Sequence, residues 1–134
     1  MKDLNVLLDK YIQSKSRSRF RYGKSDCCTF VLTWIKKVTK KDLGKEFLDQ
    51  YTDEESANNL LKANVNLEKI AHKVLGASKP LLLTMPGDVV CMKIANEWTM
   101  GISIGTRAVF HSNKGLLVLK LRPETKSWSV EGLK

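Results

Sequence analysis

The chain holds three cysteines and two histidines, and Cys27 is the one whose setting could make it a nucleophile. It follows Asp26, a natural N-cap, and opens a run in which Cys27, Phe30, Val31, Trp34, Ile35 and Val38 recur at helical spacing. A thiol in the first turn of a helix faces unpaired backbone N–H groups and the positive end of the helix dipole, both of which favour thiolate over thiol. Hydrolysis by such a thiolate also needs an imidazole brought in from elsewhere in the fold and oriented by a third polar group. His111 ends an apolar run beside a turn at 112–115 and is the better candidate base. His72 falls off the stripe of Leu67, Ile70, Ala71, Val74 and Leu75 and reads as solvent-facing. Cys91 sits inside an apolar run and reads as a buried small hydrophobe. The adjacent pair Cys27 and Cys28, with Cys91 far away, matches neither a disulfide framework nor a zinc spacing, so no metal and no cofactor are expected.

These residues must be positioned by helices first and strands second. Asp3 can cap a first helix that carries Leu4, Val6, Leu7, Leu8 and Tyr11 and fades at Ser14. The second helix is expected over 27–39, with Lys36, Lys37 and Lys40 near its C-terminus, where cations complement the dipole. Thr52-Asp53-Glu54-Glu55 is a capping box opening a third helix through Leu61, and a fourth spans about 67–75 before Gly76 as C′. After the turn Pro86-Gly87-Asp88, short β-rich runs at 89–94, 100–104, 107–110, 116–121 and 128–130 predict an antiparallel meander. The order predicts one α+β domain over 1–134, with N-terminal helices packed on a five-stranded sheet or half-barrel. Equal residue counts about Gly105 predict a hairpin that sets Thr99 opposite His111.

Apolar residues make up 43% of the 134, with no run long enough to span a bilayer. The first 15 residues alternate charged and apolar positions rather than forming a secretory signal, so synthesis in a cytoplasm is expected. The net charge of +9 favours polyanionic partners: nucleic acid, teichoic acid or an acidic protein surface. Much of the excess lies in a serine-rich stretch, where Lys15, Arg17, Arg19, Arg21 and Lys24 form a candidate anion-binding segment or a solvated connector, expected to be exposed. Trp34, Trp98 and Trp128 are too scattered for a base-stacking platform, and packing is their expected use.

The succession Tyr22-Gly23, Asp26-Cys27, Phe30-Val31, Pro86-Gly87-Asp88-Val89-Val90 and Gly101-Ile102-Ser103-Ile104-Gly105 resembles the NlpC family of papain-like cell-wall peptidases over nearly the whole chain. Cys27-Cys28, Thr29-Phe30, Gly115-Leu116 and Trp128-Ser129-Val130 are similar to a small phage-encoded branch of it. The resemblance implies a nucleophile at Cys27, a base two residues before Gly101, which is Thr99, and a third polar residue some dozen positions on, which is His111. Threonine cannot take up a proton at neutral pH. Cys28 stands where a serine is usual and Thr29 where a glycine is usual. Three readings follow: a tail or injection-apparatus component of a phage virion with absent or weak hydrolysis, an active cysteine peptidase or amidase cutting peptidoglycan, and a basic nucleic-acid-binding module. The virion reading implies other tail proteins as partners, with synthesis in the host cytoplasm before assembly. None of the three requires a membrane span.

Overall fold

The computed structural model describes residues 4–15, 27–40, 55, 71–72, 75–94, 97–112 and 115–130. Within them, α1 (Leu4–Lys15) and α2 (Cys27–Thr39) precede five strands: β1 (Val89–Ile94), β2 (Glu97–Ser103), β3 (Arg107–Ser112), β4 (Gly115–Lys120) and β5 (Lys126–Trp128). The protein is α+β with an antiparallel sheet, as its patterning predicts. The expected span of α2 matches the observed helix, and its predicted stripe is the buried one: Phe30, Val31, Trp34 and Ile35 are all enclosed. Gly76 takes a positive φ and donates its N–H to the carbonyl of His72 at 2.9 Å, the expected helix stop. Of the capping-box helix, only Glu55 is among the described residues, where it is helical and exposed.

The sheet order is β4-β3-β2-β1-β5. The first four strands form the predicted meander, but β5 returns to pair with β1 on the far side, with Val89 opposite Trp128 and Val90 opposite Ser127. This last strand occupies 126–128 rather than 128–130. It is extended by an isolated bridge between Lys79 and Ser127, whose backbone bonds are 2.8 and 3.2 Å.

Alternation along the strands gives the sheet two apolar faces. Val89, Cys91, Met100, Ile102, Val109 and Trp128 face α1 and α2, together with Leu8, Tyr11, Phe30, Trp34 and Ile35. Val90, Met92, Ala108 and Phe110 form a separate, fully buried cluster on the opposite face. The helices join through Tyr11, whose ring stacks on Phe30 at 5.3 Å and leans on Trp34 at 5.5 Å, and whose hydroxyl donates to the carbonyl of Phe30.

The Pro86-Gly87-Asp88 turn ties both helices to the sheet. Gly87 has φ 92°, and the Asp88 N–H reaches the carbonyl of Met85 at 3.1 Å, closing a turn that needs a residue without Cβ at its third position. A Cβ on Gly87 would stand 2.9 Å from Leu4 Cδ2. Its carbonyl accepts from Trp34 Nε1 at 2.8 Å, while its N–H donates to Ser103. The Asp88 carboxylate accepts the Met85 N–H at 2.7 Å and pairs with Lys79 Nζ at 2.6 Å.

Candidate functional site

Cys27 is the first residue of α2, so the backbone places it at the helix N-terminus, where the dipole argument needs it. Asp26, its expected cap, lies outside the described residues. Phe30 follows one helical turn later, about 4.5 Å along the axis, and its ring contacts the His111 ring, with centroids 6.0 Å apart and planes inclined by 51°. His111 is in β3, paired with Leu116, and only 2% exposed. The structure thus brings His111 to the helix that begins with Cys27.

Thr99 is not brought there. The expected pairing of Thr99 with His111 is overturned by the register of β2 and β3, which sets Ile102 against Val109 and Ser103 against Ala108. The cause is the turn. Ile104 donates to the carbonyl of Arg107 at 2.8 Å, leaving Gly105 and Thr106 as a two-residue loop with no single residue at its centre. A shift of one residue in a strand pairing exchanges the faces of the side chains. Thr99 is opposite Met92, and on the same face a Cβ on Gly101 would meet the Phe110 ring, so Thr99 belongs to the face away from α2. His111 shares the α2 face with Val109.

His72 differs from expectation as well. It is half-buried rather than solvent-facing, and its ring meets Trp128 edge-on at 5.5 Å. Trp128 in turn donates Nε1–H to the carbonyl of Gly76 at 2.9 Å, locking the helix stop onto β5. Cys91 is fully buried on the helix-facing side, as expected of a small hydrophobe. Trp34 and Trp128 are core residues, and Trp98 is half-buried beneath Lys93, whose Nζ lies 5.4 Å from the ring centroid.

Of the basic segment, Lys15 is described. It ends α1, half-buried rather than exposed, with Nζ 5.8 Å from the Tyr11 ring centroid, while Lys37 approaches the same ring at 5.9 Å. Arg17, Arg19, Arg21 and Lys24 lie outside the described residues. Tyr11 is the residue that sequence reasoning undervalued. Burial pushes its phenol well above the ordinary value, a bond with Thr33 opposing that only in part. Its place on the apolar stripe of α1 was the available signal. Among the described residues no cluster of His, Cys, Asp or Glu could hold a metal, and no helix is long and apolar enough to cross a membrane.

This fold and site define a class: an α+β domain with a cysteine at the start of a helix laid on an antiparallel sheet. The chain belongs to a family described as a domain of unknown function, DUF6950, whose model matches residues 1–130. Among curated proteins no match was found.

Proposed function

We propose that the chain is an NlpC-like domain that serves as a component of a phage tail or injection apparatus and hydrolyses peptidoglycan weakly or not at all. The observation behind this reading is the separation of the two positions to which the resemblance gives the handling of protons. Thr99, which has no basic group, is on the sheet face away from α2, and His111, on the α2 face, is enclosed with 2% of its surface exposed. A base that serves a substrate must come within ~2.6 to 3.2 Å of the proton it removes, or act through one water. A ring with so little exposed surface is poorly placed for that. The helix-borne cysteine and its supporting sheet then act as a scaffold, with assembly partners as its ligands.

The test is cleavage of purified peptidoglycan by the wild type, Cys27→Ala and Thr99→His. Background rates are expected for all three, because an imidazole at position 99 would project from the wrong face. Robust wild-type turnover abolished by Cys27→Ala would overturn the proposal.

That outcome would favour a second reading, which the contact between Phe30 and His111 supports. In it the Cys27 thiolate attacks an amide carbonyl to give an acyl-enzyme, His111 passes the thiol proton to the leaving amine, and water then releases the acyl group. Loss of turnover in His111→Ala with folding retained would distinguish it.

A further inference from the structure

The segment between the Lys79 bridge and the Pro86-Gly87-Asp88 turn displays apolar side chains in an unusual way. Leu82 is 94% exposed, Leu83 59% and Met85 61%. Leu82 and Leu83 stand on a single 3-10 turn (Leu81–Leu83), closed by bonds from Leu83 N to the Pro80 carbonyl and from Thr84 N to the Leu81 carbonyl, both 3.0 Å, and Met85 follows directly after its cap, Thr84. The base is fastened on both sides. Lys79 exchanges two backbone bonds with Ser127, Thr84 Oγ1 meets Ser127 Oγ at 2.9 Å, and Lys79 Nζ and Met85 N both reach the Asp88 carboxylate. The tip is therefore held out from the body by bonds at its base, with its apolar side chains turned to water.

We propose that this tip inserts into the interfacial layer of an anionic lipid bilayer. Two features favour lipid over a protein partner. A convex turn carrying three apolar side chains is far from the roughly 800 Å² per partner of a specific protein interface, whereas shallow insertion among acyl chains demands no shape complementarity. The net charge of +9 supplies the second attraction that stable membrane attachment requires, and it is complementary to acidic headgroups. The attachment is peripheral. It involves no spanning segment and is independent of whether Cys27 is reactive.

The experiment is co-sedimentation of the full chain with vesicles of phosphatidylcholine alone and of phosphatidylcholine mixed with phosphatidylglycerol. The wild type is expected to partition onto the mixed vesicles, much less onto the neutral ones, and less at high salt. The double variant Leu82→Ser/Leu83→Ser is expected to lose about tenfold or more of that partitioning, since each leucine contributes buried apolar area. Its thermal melt should match the wild type, because both side chains face solvent, and Met85→Ser should give a smaller loss in the same direction. If the double variant does not fold, Met85→Ser carries the comparison. Wild type remaining in the supernatant with anionic vesicles would overturn the proposal and leave a protein as the occupant of the tip. Variants that partition as well as wild type would overturn it too, by showing that charge alone drives attachment.

Discussion

Gly101→Ala tests the face assignment on which the reading of Thr99 depends. The backbone at Gly101 lies outside the left-handed region, so alanine meets no conformational penalty there and, in a strand, would by itself be favoured by about 0.5 to 1 kcal/mol. The contacts oppose this. A Cβ would lie 2.6 Å from both Cδ1 and Cε1 of Phe110 and 2.7 Å from the carbonyl oxygen of Val109. Phe110 is fully buried and the carbonyl is main chain, so neither can move aside cheaply. Overpacking of this kind costs about 1 to 3 kcal/mol, and the rigid neighbours place it near the top of that range, for a net loss of about 2 kcal/mol. With an unfolding entropy of ~2.1 cal/mol/K per residue, that lowers the melting temperature by roughly 7 °C. Calorimetry of the wild type and variant measures it. In a Phe110→Leu background the penalty should shrink, because part of the clash is with the ring. A melting temperature unchanged or raised in Gly101→Ala would refute the register, and with it the conclusion that Thr99 faces away from α2.

Alkaline titration should expose Tyr11. Its phenol is harder to ionise when folded than when unfolded, so the stability it contributes is complete below the ordinary value of about 10 and declines as pH rises above it; Tyr11→Phe should flatten that decline in pH-dependent melts. Asp88→Ala should cost about 2 to 4 kcal/mol in chemical denaturation, since it strands the Lys79 ammonium, itself only 25% exposed, and the Met85 N–H; Asp88→Asn should cost less. Neutralising Arg17, Arg19 and Arg21 together should shift stability by only ~1 kcal/mol. If the basic segment binds nucleic acid, the same triple variant should also flatten the salt dependence of affinity.

How legible the molecule was depended on whether a feature is encoded locally. Helix α2 was readable from end to end because Phe30, Val31, Trp34 and Ile35 mark one face at the helical period. The stop at Gly76 was readable because a residue without Cβ is needed at that one position. The register of β2 against β3 was not, since Gly105 suggests a centre while Thr106 shares the turn, and one residue of difference moves every side chain to the other face. The return of β5 to β1 was also invisible, because pairing across more than thirty residues leaves no local pattern. Cys27 could be placed by its helix, whereas the packing of His111 on Phe30 required the sheet to be built.

The return of β5 means that β1 acquires its second neighbour only when residues 126–128 arrive. Until then Val89, Val90 and Cys91, which end with no exposed surface, offer a row of unpaired N–H and C=O groups at an apolar margin. A chain interrupted after Lys120 could form all four strands of the meander and still carry this open margin, adhesive to any other extended chain. The short strand from Lys126 to Trp128 thus acts as a clasp, protecting this apolar edge of the sheet with the last of the five strands to be made.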